Sequence, residues 1–190
     1  MHHLAIFASG TGSNALKIME HFKTSETARV SLVISNNKDA GVLAIAATFG
    51  VPTHLISKKS FYESTALLEV LAEHHIDLIV LAGFMWLVPP YLVAAFPKRI
   101  LNIHPALLPK FGGKGMYGMH VHEAVRASGA SESGITIHYV NERYDEGDIL
   151  FQASCALEPG ESAAEIARKV QVLEHRWYPK VIETLLSERL

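Results

Sequence analysis

The chain has 190 residues, 49% of them hydrophobic and 19% charged, with a formal net charge of -2. That balance describes a folded chain with ample core material and argues against a nucleic-acid binder, which needs a basic face. A single cysteine, Cys155, excludes an intramolecular disulfide, and no apolar run reaches membrane-spanning length, so a cytoplasmic protein is expected.

The first run, "HLAIFAS" (3–9), reads as a strand, and "GTGSN" as the turn that follows it. Leu16, Ile18, Met19 and Phe22 then recur at helical spacing over 14–22. "RVSLVIS" (29–35) is a second strand, with a helix near 41–49 behind the polar "NNKDAG". "THLIS" (53–57) is a short strand, and the spacing predicts one helix over 60–75. "DLIVLAG" (77–83) is apolar without alternation, as in a strand covered on both faces. A short helix opened by prolines is expected over 89–96, and a further buried strand over 99–104. The segment holding "MHVHE" (119–123) looks helical. "GITIHYV" (134–140) and "DILFQASCAL" (148–157) are strands joined by only "NERYDEG", too short a link for a helical crossover, so they should pair antiparallel. A closing helix runs from "EPGES" past Trp177, with Pro179 as the place for a break. The expected fold is α/β: one domain over 1–190, with an open, mostly parallel Rossmann-like sheet flanked by helices and an antiparallel pair near the C-terminus.

Three stretches point to chemistry. In "SGTGSN" (9–14) the glycines let the backbone approach a ligand, and the helix start offers free N–H groups to an anion. Gly12, Ser13 and Asn14 are therefore candidate phosphate contacts. A dinucleotide is disfavoured, because Ser35-Asn36-Asn37 stands where the acid at the tip of the second strand belongs; a purely structural turn is the other reading. In "LNIHPALLPK" (101–110), Asn102 and His104 are two apart on a strand and share a side, at the carboxyl end of the sheet where such folds bind ligands. An amide and an imidazole there can bond an oxyanion, and the imidazole can pass a proton. Asp145 and Asp148, in the loop between the last two strands, are the carboxylates that could orient that imidazole. His120, His122 and Glu123 invite a metal reading, which the spacing of the histidines does not favour. The glycine-rich "KFGGKGMYGM" (110–119) suits either a lid or an anion-approaching loop.

Together these pieces resemble the folate-dependent formyltransferases along nearly the whole chain. The likeness is carried by "ASGTGSN", "VLAGFMWLVPP" (80–90), "ILNIHPALLPK" (100–110), "GITIHYV", "YDEGDILFQ" (144–152) and "VQVLEHRWYP" (170–179). The opening "GTGSN" and the late "VQ-x-x-EH" match the branch whose acceptor is glycinamide ribonucleotide. The resemblance implies formyl transfer from 10-formyltetrahydrofolate to that amine, in purine biosynthesis, with small-molecule substrates and no metal. It implies Asn102, His104 and Asp145 as the catalytic trio. Gly12, Ser13, Asn14 and Glu174 would hold the acceptor's phosphate and ribose. Lys59, Met85, Trp86, Leu87, Val88, Asn102, Asn141, Glu142, Arg143 and Tyr144 would border the folate. The chain departs from the family in carrying Trp86 where arginine is frequent, Glu146 within the usual Asp-Gly-Gly, and a longer loop after Lys110. A formylfolate deformylase-like hydrolase and a non-catalytic sugar-phosphate or nucleotide binder are the alternatives.

Overall fold

A computed structural model describes residues 1–189. The strands are β1 (His2–Phe7), β2 (Ala28–Ser35), β3 (Thr53–Leu55), β4 (Leu78–Leu81), β5 (Ile100–His104), β6 (Glu132–Tyr139) and β7 (Ile149–Ala156). They form one sheet in the order β3-β2-β1-β4-β5-β6-β7. The first five strands are parallel; β6 runs antiparallel to β5, and β7 to β6. The chain winds outward from β1 to β3, returns to β4 on the other side of β1, and so leaves a crevice beyond the carboxyl ends of β1 and β4.

The strand period sorts the apolar side chains into two cores. Leu4, Ile6, Val33, Val80, Leu101 and Ile137 pack on the face covered by α1 (Ser13–Phe22), α2 (Gly41–Thr48), α6 (Met119–Ala127) and α7 (Ala163–Arg189). Ala5, Phe7, Ile34, Ile79 and Ile100 pack on the opposite face against α3 (Lys58–Tyr62), α4 (Ala66–Glu73) and α5 (Pro90–Ala95). Burial on both faces is why these strands read as unbroken apolar runs.

Two expectations need correction. The single helix over 60–75 is two helices. Ser57 caps α3 by a reciprocal bond with Ser60, and Ser64 Oγ accepts the Ala66 amide where α4 begins. The polar Glu63-Ser64-Thr65 breaks what apolar spacing alone joins. Conversely, α7 runs unbroken through Pro179. Burial of Tyr178, Ile182, Leu185 and Leu186 on either side of the proline offsets the one helical bond it cannot make. Among the described residues no helix is long and apolar enough to cross a membrane.

Candidate active site

β5 delivers Asn102 and His104 to the sheet end, as their spacing requires. The antiparallel register then sets His138 of β6 directly across from Asn102. The Nδ1–H of His138 donates to the Tyr139 carbonyl at 2.9 Å, which leaves Nε2 as the acceptor for Asn102 Nδ2 at 3.1 Å. One amide hydrogen of Asn102 is thereby fixed and the other remains for a ligand.

Asp145 reaches the same point from the β6–β7 loop, with its backbone in the left-handed region (φ 56°). Gly147 lets the loop fold this tightly, since a Cβ there would run into the Tyr139 carbonyl. The carboxylate is 11% exposed and lies 3.5 Å from His104 Nδ1 and 3.6 Å from His138 Nε2. It also accepts the Gly113 amide at 2.9 Å. Burial pushes Asp145 upward, but His138, the charge of His104 and the Gly113 amide together outweigh it, so the acid is held below its ordinary range. It is ionised at neutral pH.

His104 is buried, and its Nε2–H donates to the Phe111 carbonyl at 2.7 Å. Burial lowers its affinity for a second proton; Asp145 and the Phe111 carbonyl pull back only part of the way. The ring is neutral, with Nδ1 turned to the carboxylate as the place where a proton would be received.

At the other end of the cleft, α1 begins at Ser13 with Gly12 as its N-cap (φ 81°). A Cβ on Gly12 would strike Val42 of α2, so helix packing, as well as the turn, demands glycine here. The first turn of α1 holds no acid that would repel an anion. Asn14 Nδ2 donates to Glu174 Oε2 at 3.2 Å, and both line the cleft. Burial pushes Glu174 up to about 7, with the Asn14 amide opposing. Gln171 Nε2 lies 3.4 Å from Ser13 Oγ, bringing α7 against the helix start.

The β4–α5 segment forms the third wall. Trp86 packs on Phe61, Tyr62 and Phe84 with ring centroids 5.7, 6.0 and 6.2 Å apart. The Tyr62 hydroxyl donates to the Leu87 carbonyl at 3.1 Å, and Ser9 Oγ accepts the Met85 amide at 3.0 Å. Met85, Trp86, Leu87, Val88, Arg143 and Tyr144 all line the cavity. Asn141 shapes the loop from outside, its Oδ1 accepting the Arg143 amide at 2.9 Å, and Glu142 is exposed. Lys59 stands on the exposed side of α3 and is not among the lining residues. The strap 113–118 covers the cleft, which encloses about 640 Å³, a volume suited to a small organic ligand.

Reading the sequence missed His138, the Phe111 carbonyl and the Gly113 amide, and it weighed His122 only as a metal ligand. His138 could have been found only from the β5–β6 register. The two histidines of "MHVHE" do not converge. His120 is exposed and 3.5 Å from Glu123, whereas His122 is buried on the cleft side of α6. Among the described residues, no group of three His, Cys, Asp or Glu side chains is placed to hold a metal.

A family profile described as formyl transferase matches residues 2–182. The chloroplastic phosphoribosylglycinamide formyltransferase of Arabidopsis thaliana is 45% identical over 98% of this chain, which spans 66% of that relative's length. The phosphoribosylglycinamide formyltransferase of Bacillus subtilis is 37% identical over 98% of this chain and 96% of its own. The crystal structure of phosphoribosylglycinamide formyltransferase from Anaplasma phagocytophilum superposes with a TM-score of 0.91 at 34% identity, covering 99% of this chain and 88% of its own.

Proposed function

The chain belongs to the formyl transferase family, and we propose that its cleft moves a formyl group from 10-formyltetrahydrofolate to the amine of glycinamide ribonucleotide, a step of purine biosynthesis. The observation that carries this reading is the meeting of Asn102, His104 and Asp145 in one cleft, between the first turn of α1 at Asn14 and an aromatic wall. Near neutral net charge and small-molecule dimensions agree with two small substrates.

Each wall fits one substrate. The α1 start, with Ser13 and Asn14, suits the acceptor's phosphate. Glu174, beside Asn14, suits the ribose hydroxyls. The Phe84–Trp86 face and Tyr144 suit a flat heterocycle, and Arg143 and Lys114 suit its carboxylates. Lys59, outside the lining, is left without a part in this reading.

The neutral amine attacks the formyl carbon, and negative charge grows on the formyl oxygen. Asn102 meets that oxygen with its free N–H, from a rigid strand and a fixed orientation. Loss of one such donor costs about 2.7–4 kcal/mol of barrier in other enzymes. The growing charge and the ionised Asp145 both favour a proton on His104, reversing the burial that keeps it neutral in the free protein. His104 takes up a proton from cleft water as that charge grows and gives one to the departing folate nitrogen, while the attacking amine sheds one in return, and Asp145 holds the ring in place throughout.

The test is a coupled assay with formylfolate, with and without glycinamide ribonucleotide. Loss of formylfolate that depends on the acceptor is the expected result. Formate release without acceptor would assign a hydrolase instead, and no reaction at all would assign a binding module.

A further inference from the structure

One buried base in the cleft has no part in the steps above. When a neutral amine adds to the formyl carbon, its nitrogen becomes cationic and must lose a proton before the adduct can collapse forward. His104 cannot serve both ends at once, because it is giving a proton to the departing nitrogen. We propose that His122 is the base that takes the proton from the attacking amine.

His122 lies on α6, which packs against α7, the helix that carries Glu174. His122 and Glu174 line the same cleft. The residue is 6% exposed and lines the cavity. Its Nδ1 is fully buried without a hydrogen-bond partner. A histidine kept for packing alone would be paired at that nitrogen, since an unpaired buried polar group costs about 1–3 kcal/mol. Nε2 is not among the buried unpaired atoms and makes no hydrogen bond, so it is the nitrogen open to the cleft, and the tautomer protonated at Nδ1 is the one that acts as base. The other ionisable groups that line the same cleft are His104 and His138 from the sheet, Asp145, Arg143 and Tyr144 from the β6–β7 loop, Lys114 and Tyr117 from the strap and Glu174 from α7; His104 is the one whose charge bears on His122. His120 and Glu123, on its own helix, are exposed and face each other.

Burial, and then the charge of His104, lower the proton affinity of His122, so the ring is neutral and ready to accept at working pH. The coupling also sets an order. A protonated His104 discourages a proton on His122, and that discouragement ends as His104 releases its own to the leaving nitrogen. Across the step the N–C bond to the acceptor forms, the old formyl C–N bond breaks, one proton passes from the amine to His122 and one from His104 to the folate nitrogen. Release of the proton from His122 to cleft water balances the one that His104 took up, and restores both neutral rings without any further reactant.

The proposal rests on the formyl-transfer reading, which the wild-type assay checks by itself; His122 is judged by variants against wild type in that assay. His122→Ala and His122→Gln should each lower kcat by about a hundredfold, with both KM values held within about threefold. Added imidazole should restore a large part of the turnover of His122→Ala, whose cavity can admit it, and none of His122→Gln, whose side chain fills the space. Wild-type kcat in either variant, a loss that lies in KM, or a loss in His122→Ala that imidazole leaves untouched would each overturn the assignment.

Discussion

Asp145 and Glu174 stand at opposite ends of one cleft, both carboxyls drawn out of water, and they are pulled in opposite directions. Burial disfavours ionisation of each. Asp145 overcomes it because three partners converge on it: the Gly113 amide at 2.9 Å and two imidazoles at 3.5 and 3.6 Å. Glu174 has the Asn14 amide alone, at 3.2 Å, and is pushed up to about 7. The number of partners, more than depth, thus separates the two acids. One acid is a fixed negative charge beside His104 and His138; the other, beside Asn14, changes charge near neutrality. Two carboxyls whose surroundings drive them apart mark a division of chemical labour.

The most damaging way to break the contrast is to neutralise the fixed charge. Asp145→Asn should keep the fold, since the amide fills the same volume, but lower kcat by at least about a hundredfold, the scale of a lost preorganised group. Steady-state kinetics together with a thermal melt separate the two effects. The acid dependence of stability should change as well. The folded value of Asp145 is depressed, so its contribution is complete above the ordinary carboxylate range and fades as pH falls through the folded value. The variant should lack that component of acid loss. Wild-type turnover in Asp145→Asn would remove the acid from the mechanism.

A smaller effect is expected at the other end. Glu174→Gln fixes this side chain in the neutral state, so the acceptor's KM should rise by about tenfold at pH 8, on the scale of a charge-assisted bond to a hydroxyl. Near pH 6, where wild-type Glu174 is itself largely protonated, the ratio should shrink towards one. Stability should move in the opposite sense. The folded value is raised from 4.5 to about 7, so the contribution of Glu174 is complete below 4.5 and lost as pH rises to 7. Glu174→Gln should therefore be neutral near pH 4 and stabilising above pH 7, by at most about 3 kcal/mol. A KM ratio that does not vary with pH would show that Glu174 does not titrate in this range.

The same contrast marks where the sequence was readable. Strands covered on both faces announce themselves as unbroken apolar runs, so the parallel half of the sheet was legible, as was the antiparallel turn-back after it. Asn102 and His104 were legible because a two-residue spacing at a strand end fixes a shared side. Asp145 was legible only as one of two loop acids, and the family resemblance singled it out from Asp148, since a loop acid carries no periodicity. His138 needed the register of β6 against β5, which no local pattern encodes. The break at 63–65 was hidden because Phe61, Leu67, Leu68 and Leu71 keep a helical spacing across it, while the serines at 57 and 64 that cap the two helices are weak local signals. The passage of α7 through Pro179 was hidden because burial of distant contacts overruled a local breaker. The neutral state of His104 is a matter of depth, and depth is a property of the folded cleft.

The finest test turns Asp145 toward the situation of Glu174 without touching either. His138 is a positioning residue: it gives Asn102 its acceptor and stands 3.6 Å from Asp145. His138→Phe keeps much of the ring's volume but removes both roles. Asp145 then loses one of the partners that hold it ionised, and its proton affinity should rise, since burial continues to act unopposed by that partner. The acid limb of kcat should move to higher pH. At the optimum, the freed Asn102 amide should cost about tenfold in kcat, with little change in either KM, because the interaction lost is one made in the transition state. A pure packing role would lower stability and leave the position of the acid limb where it is in the wild type. A limb that stays in place, in a folded variant with reduced kcat, would mean that His104 and the Gly113 amide alone keep Asp145 ionised.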